Sequence, residues 1–198
     1  MKFTLKHALA ATILVLSFAA PVTADPLEDA KAAYQRRDYA TALRLWRPLA
    51  EHGDANAQLK IGHMYAHGEG VPQDFVEGVR WYRRAAEQGH ASAQDSLGFS
   101  YYRGEGVPQN YSEAAKWLRL AADQGLGNSQ NKLGLMYENG EGVPQDYILA
   151  HMWFNLAMAQ GDTYATNRDG VAAKMTPAQI AEAQKLAREW KPIRQPPR

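Results

Sequence analysis

The alternation of apolar and polar residues between positions 55 and 87 predicts two amphipathic helices joined by a glycine-rich loop. In the first helix, from Ala55 to His67, apolar or small residues recur at the spacing that places them on one helix face. The second helix follows Asp74, a typical N-cap residue, and Glu77 stands where it would complete a capping box. Such a hairpin buries its apolar faces only by packing against neighbours of the same kind.

The same pattern returns with a period of 36 residues. The string Gly-Glu-Gly-Val-Pro-Gln begins at Gly68, Gly104 and Gly140. A period of this length predicts stacked helical hairpins. Glycine inside a helix costs about 1 kcal/mol relative to alanine, so its recurrence within the first helix predicts a close approach by a neighbouring helix. The positions that recur in register with the loop are Gly62, Gly98 and Gly134, then Tyr65, Tyr101 and Tyr137, then Trp81, Trp117 and Trp153.

The period divides the chain into three repeats at 54–89, 90–125 and 126–161, called here repeats 1, 2 and 3. A degenerate N-terminal hairpin at 25–53 precedes them, with a tighter connection in place of the long glycine loop. After Gly161 the loop motif ends, and residues 162–191 are predicted to form a C-terminal cap. Thr176, Pro177 and Gln179 have the pattern that begins a helix, which is predicted to run to about Trp190. Residues 192–198 are predicted to be a solvated, extended tail.

The pattern AQxxIGxxYxxGEGVPQDFxEGxxWYRRAAEQG, read from Ala57 to Gly89, closely resembles the Sel-one-like repeat, a relative of the tetratricopeptide repeat. The resemblance covers most of the chain after the first 24 residues. It implies an all-α fold, a right-handed α-solenoid of antiparallel helix pairs with a C-terminal capping helix. It also implies a non-catalytic scaffold for protein assembly, since proteins of this family are mostly adaptors and are often secreted or periplasmic in bacteria.

Four columns of the alignment change freely between repeats and form one stripe along the first helices. We expect this stripe to take no part in packing between repeats, and it resembles the inner-face positions through which tetratricopeptide-type repeats hold extended peptides. The alternative is that these are unconstrained surface positions. Phe99, Leu59 and Leu135 would make an apolar track along the groove. The predicted partner-binding residues are Leu59, His63, His67, Asp95, Phe99, Tyr102, Arg103, Asn131, Leu135 and Glu138.

The first 24 residues have the pattern of a secretory signal peptide. Lys2 and Lys6 precede an apolar stretch at 8–20, which is too short to span a bilayer, and Val22 and Ala24 supply small residues before a cut. An uncleaved anchor is the alternative. The chain has no cysteine, which excludes a lipoprotein, disulfides and thiolate metal sites. We therefore expect a periplasmic or secreted protein that is not stably inserted in a membrane after cleavage and is a monomer.

Composition argues against nucleic acid as a partner. Cleavage of the leader removes two lysines and no acid, so the formal net charge changes from +1 to −1. A chain with no excess of positive charge lacks the electrostatic attraction that nucleic-acid binding requires. The predicted partner is a protein or peptide.

Three patterns suggest chemistry, and we expect none of them to supply a catalytic residue or a cofactor. His63 and His67 have the spacing of two metal ligands on one helix face, but no third ligand is evident. Ser129 and Lys132 match the Ser-x-x-Lys element of penicillin-recognising enzymes, a hydrolase activity described for some disulfide-containing members of the family, yet Ser129 occupies a small-residue core column. An envelope glycan-binding factor is the other alternative. It would need exposed aromatic residues, whereas three tryptophans occupy core columns: Trp81, Trp117 and Trp153.

Overall fold

The computed structural model describes residues 25–161 and 165–193, so the predicted leader at 1–24 and tail residues 194–198 lie outside the described residues. Within the described part, the chain forms ten α-helices and no β-strand, which confirms the all-α prediction. The helices are α1 Pro26–Gln35, α2 Tyr39–Glu51, α3 Ala55–His67, α4 Phe75–Glu87, α5 Ala91–Arg103, α6 Tyr111–Asp123, α7 Gly127–Asn139, α8 Tyr147–Met158, α9 Ala165–Ala172 and α10 Pro177–Glu189.

The helices pack in consecutive pairs, α1 with α2, α3 with α4, α5 with α6, and α7 with α8. Each pair then contacts the next through its second helix and the first helix of the following pair. Helices α9 and α10 both pack against α8 at the C-terminal end. The structure is therefore an α-solenoid of four hairpins with a helical cap, as predicted.

In each of the three repeats, the glycine within the first helix lies directly against a large side chain of the second helix. A Cβ atom on Gly62 would lie 2.6 Å from Cδ1 of Tyr82, and one on Gly98 would lie 2.7 Å from Cγ of Leu118. The same relation joins Gly134 to Phe154. Real Cβ atoms essentially never approach another atom below 3.0 Å. The predicted close approach is confirmed, and it holds the two helices of a repeat together.

The glycine loop ends the first helix and also contacts the preceding repeat. Gly104 is the C-cap of α5 with φ 75°, a left-handed conformation that favours glycine. Gly106 also has a positive φ, and a Cβ atom there would overlap the backbone carbonyl of Phe75 at the start of α4. Because conformation and space both require glycine, the loop fixes the distance between neighbouring repeats.

The second helices begin at their predicted N-caps. The prediction that Glu77 bonds back to the N-cap and completes a capping box is wrong. Asp74 accepts a hydrogen bond from the backbone N–H of Glu77 at 3.0 Å. The Glu77 carboxylate, however, lies 3.2 Å from Nη1 of Arg80, and Glu113 pairs in the same way with Lys116 at 2.6 Å. In both helices, the glutamate forms an ion pair with a cation three residues later instead of a hydrogen bond with the backbone of the N-cap residue.

The C-terminal cap contains one helix more than the sequence predicts. Helix α9 lies in the segment expected to connect repeat 3 to the last helix, and its Val171 is completely buried. An eight-residue helix is too short to be stable alone, so packing against α8 holds it. The last helix begins as predicted, with a full capping box between Thr176 and Gln179, and ends at Glu189.

We expect Gly98→Ala to lower the free energy of unfolding by about 1–3 kcal/mol, because the added methyl group would overlap the Leu118 side chain and approach its backbone nitrogen at 3.2 Å. Urea denaturation followed by circular dichroism measures this. The matched control is Gly170→Ala in α9, where a Cβ atom meets nothing within 4 Å. Equal stability changes in the two variants would contradict the close-approach interpretation.

Candidate functional site

Five residues of the predicted stripe line one pocket of about 200 Å³ between repeats 1 and 2. Helix α3 supplies two of them and α5 supplies three. They are His63, His67, Asp95, Phe99 and Arg103. The structure thus brings half of the predicted partner-binding residues together, and their role in binding stays a prediction.

Among the residues that line the pocket, the largest difference from the next junction is a change from tyrosine to alanine in one column of the stripe. At the junction of repeats 2 and 3, the Tyr102 hydroxyl donates a hydrogen bond to Glu141 at 2.9 Å. The corresponding residues at the junction of repeats 1 and 2 are Ala66 and Glu105, which both line the pocket. The methyl group of Ala66 leaves unfilled the space that the tyrosine ring would occupy.

The two histidines form the α3 side of the pocket. Their rings stack with centroids 3.9 Å apart, and Nδ1 of His67 lies 2.9 Å from the carbonyl oxygen of His63. Nδ1 of His63 lies 3.3 Å from the Glu69 carboxylate, which accepts a hydrogen bond from the Tyr34 hydroxyl at 2.6 Å. Burial, and then the charge of His67, lowers the pKa of His63 despite the opposing effect of Glu69. The fold therefore favours the neutral form of the His63 imidazole.

The α5 side of the pocket combines an aromatic ring, a cation and two carboxylates. The guanidinium carbon of Arg103 lies 5.9 Å from the Phe99 ring centroid, and its Nη1 lies 3.6 Å from Glu105. Asp95 accepts a hydrogen bond from the Ser129 hydroxyl at 2.5 Å, and burial raises the pKa of this carboxyl group. Arg103 is the most exposed of these groups and is the charge most available to a ligand.

The prediction that the stripe takes no part in packing between repeats is wrong, because the Tyr102 hydroxyl donates to Glu141 of repeat 3. Two further stripe residues contact the C-terminal cap. Asn131 accepts a hydrogen bond from Asn167 at 2.8 Å, and the Glu138 carboxylate pairs with Lys174 at 2.8 Å. Polar side chains on this face are long enough to reach the neighbouring unit. The two leucines of the predicted apolar track are half-buried beside the repeat cores: Leu59 and Leu135.

Six of the eleven residues that line the pocket were not predicted as site residues, and the sequence contains a signal for two of them. Ala66 belongs to the same variable column as Tyr102, and a change from large to small in that column indicates space. Glu105 lies between the two glycines of the loop. From the sequence, this loop is assigned only to the ending of the helix. The structure shows that this loop also supplies a side chain to each junction, since Glu69 and Glu141 are bonded there.

The Ser-x-x-Lys element is occupied by packing contacts. Ser129 is completely buried, as expected for its core column, and its hydroxyl donates to Asp95. The Lys132 ammonium lies 3.2 Å from the ring centroid of Tyr102. Both side chains thus connect repeats 2 and 3.

In the described part of the chain, no group of three or more histidine, cysteine, aspartate or glutamate residues is arranged to hold a metal ion. The same part contains no helix with the length and apolar character needed to cross a membrane.

The core placement of the tryptophans is confirmed for two of the three. Trp81 is 6% exposed and Trp153 is 1% exposed, whereas Trp117 is only half-buried. Trp117 also packs against a buried core cluster but stays partly exposed, and Leu120, one turn further along α6, is 46% exposed.

Stacked helical hairpins with a groove at their junctions define the chain as a helical-repeat protein of the solenoid class. The model of the Sel1 repeat matches residues 31–54, 55–90, 91–126 and 127–162. The chain belongs to the Sel1 repeat family, whose members generally mediate protein–protein interactions and whose repeat scaffold is generally non-catalytic.

Two solved structures show the same architecture. A protective antigen of uropathogenic Escherichia coli strains, c5321, has a TM-score of 0.59 and 27% identity over 83% of this chain. A Sel1 repeat protein from Oxalobacter formigenes has a TM-score of 0.71 and 28% identity over 81% of this chain. The chain spans 44% of the first protein and 67% of the second. No curated protein matches the chain.

We expect the free energy of unfolding to fall as the pH is lowered from 7.5 to 6.0. Burial lowers the pKa of His63, His90 and His151 below the ordinary value of 6.5, so the unfolded chain binds these protons more readily than the folded chain. The stabilisation is complete above the unfolded pKa and is lost as the pH falls towards the lower folded values. Urea denaturation at both pH values measures the difference.

A His63→Gln variant should show a smaller difference between the two pH values, because one of the three groups is removed. The interval ends at pH 6.0 because burial raises the pKa of Asp95 and Asp123, and their protonation at lower pH favours the folded chain. Wild-type protein that is as stable at pH 6.0 as at pH 7.5 would contradict the interpretation.

Proposed function

We propose that this chain is a non-catalytic protein–protein interaction module of the bacterial cell envelope. It binds an extended peptide or protein segment in the groove formed by the first helices. The observation that carries the proposal is the open junction between repeats 1 and 2, where a change from tyrosine to alanine leaves a pocket surrounded by variable residues. The general role of the family in protein–protein interaction supports it.

The chemistry of the pocket suggests the kind of segment that fits. Phe99 offers an aromatic surface, and its neighbour Arg103 offers an exposed cation for a carboxylate or a backbone carbonyl. Aromatic and arginine side chains are the usual anchors of protein interfaces. An apolar side chain beside an acidic or carbonyl group therefore matches this pocket best.

The cellular location is part of the proposal and depends on the leader pattern at 1–24. Export of the chain and removal of the leader would leave a periplasmic or secreted monomer that begins near Asp25. One structural relative is described as a protective antigen of uropathogenic Escherichia coli strains, and we take that description as support for an exported location.

Filling the pocket tests the binding site. Ala66→Tyr places at this junction the residue found at position 102, and its hydroxyl is expected to bond with Glu105 as Tyr102 bonds with Glu141. The added ring would extend into the pocket that Ala66 and Glu105 line. We expect the variant to keep its helical content. It should recover at least ten-fold less partner protein from a cell-envelope extract than the wild type does, as measured by quantitative mass spectrometry.

The matched control is Ala181→Tyr, the same substitution at an exposed position of α10 outside the groove. It should recover the same partners as the wild type. Equal recovery by the wild type and Ala66→Tyr would contradict groove binding. Turnover of a chromogenic β-lactam by purified protein would contradict the non-catalytic assignment.

Export is tested separately by cell fractionation. Expression of the full chain in a Gram-negative host should give a periplasmic protein whose intact mass corresponds to removal of residues 1–24. A variant that begins at Asp25 after an initiator methionine should stay in the cytoplasm. Finding the full chain uncleaved, or finding both forms in the same compartment, would contradict the signal-peptide prediction.

A further inference from the structure

A second pocket, of about 350 Å³, lies at the other end of the junction between repeats 1 and 2. It shares no lining residue with the groove pocket. We call it the Trp117 pocket. It is lined by seven residues from the end of α4, the start of α5 and the later turns of α6, among them Glu87, Gly89, Trp117 and Leu120.

The next repeat contains a nearly identical copy of this surface. Six of the seven lining residues have the same residue 36 positions later, and the seventh, Glu87, corresponds to Asp123. Trp153 and Leu156 are the counterparts of Trp117 and Leu120. The two surfaces are therefore lined by nearly the same side chains.

In the copy, the chain's own C-terminal segment covers the surface. Trp190 packs edge-on against Trp153 with ring centroids 6.3 Å apart, and its side chain hydrogen-bonds to the Asp123 carboxylate. Pro192 lies beside Gly125, and the backbone N–H of Ile193 donates to the carbonyl oxygen of Asp123 at 2.7 Å. A tryptophan and a proline two positions later thus fill the surface in an extended conformation.

The equivalent surface 36 positions earlier, which contains Trp81, is covered by an arginine. Arg84 stands where Leu120 stands in repeat 2, and its guanidinium lies 4.8 Å from the ring centroid of Trp81. The result is that Trp81 and Trp153 are buried, while Trp117 is half-buried beside an exposed leucine. Of the three equivalent tryptophans, Trp117 is the one that neither an arginine nor the C-terminal segment covers.

We propose that the Trp117 pocket is a second docking site, for an extended partner segment that carries an aromatic residue followed two positions later by proline. The partner's ring packs against Trp117 and Leu120, its indole N–H donates to Glu87, and its proline lies beside Gly89. The contacts with Trp117, Glu87 and Gly89 have their counterparts in the way Trp190 and Pro192 bind the next repeat. Tryptophan-lined surfaces suit extended proline-containing segments, because such segments lose little conformational entropy on binding.

The probe is the peptide Arg-Glu-Trp-Lys-Pro-Ile, the sequence of residues 188–193, acetylated and amidated. Isothermal titration with the wild-type protein should give saturable binding of one peptide per chain. In ¹H–¹⁵N spectra, the backbone amides of Gly89 and Leu120 should shift. A peptide with alanine in place of tryptophan should bind at least ten-fold more weakly.

Leu120→Arg is the diagnostic variant, because it introduces at repeat 2 the cover that Arg84 provides at repeat 1. Leu120 is 46% exposed, so the substitution leaves the core intact. We expect at least ten-fold weaker peptide binding with unchanged thermal stability. Val76→Arg, which adds the same charge at a position 53% exposed and outside this pocket, should bind the peptide like the wild type.

Three results would overturn the proposal. One is unchanged peptide affinity in Leu120→Arg, and another is amide shifts centred on Gly125, which would show that the peptide displaces the chain's own segment. The third is saturable binding of an envelope oligosaccharide at Gly89 and Leu120 without peptide binding, which would make the site a glycan site. Ala66→Tyr should leave peptide binding unchanged, because the two pockets share no lining residue. A negative result for one site therefore does not decide the other.

Discussion

Contact between neighbouring backbones at glycine positions is the constraint on which the rest of the structure depends. Within a repeat, Gly98 lets the first helix lie against Leu118, and between repeats, Gly106 lets the loop lie against the start of α4. Both contacts use positions where no side chain fits and recur in each of the three repeats, although the residue that is met differs. Differences between junctions then arise only from side chains, of which Ala66 and Tyr102 are the clearest pair.

The helices of the repeats were predictable because local signals agree there. Helix α3 runs from Ala55 to His67 as the apolar period indicates, and Gly68 ends it. Helix α9 was not predictable, since its eight residues have little amphipathic pattern of their own and depend on α8. The capping-box error at Glu77 has a similar origin, because the sequence contains two partners for one carboxylate and only the structure decides between them.

The candidate site was predictable to a smaller degree. Comparison of columns identified the stripe, but the pocket depends on small residues at its lining positions, Ala66 above all. Their effect becomes clear only by comparison with the next junction, where Tyr102 bonds with Glu141. The exposure of Trp117 depends on Leu120 and on a segment that covers the next repeat instead. The repeat period identifies equivalent positions but does not show how their surroundings differ. The proposed binding sites of this chain lie where equivalent positions carry different side chains or different neighbours.

The segment after α10 has a further consequence for how the solenoid unfolds. In a chain of repeats that contact only their neighbours, stability is a sum of local terms, and either end opens without the other. Trp190 and Ile193 instead connect the C-terminal cap to repeat 3 and to the end of α6 in repeat 2. We therefore expect the C-terminal half to open as one larger cooperative unit, with slower amide exchange than the N-terminal hairpin.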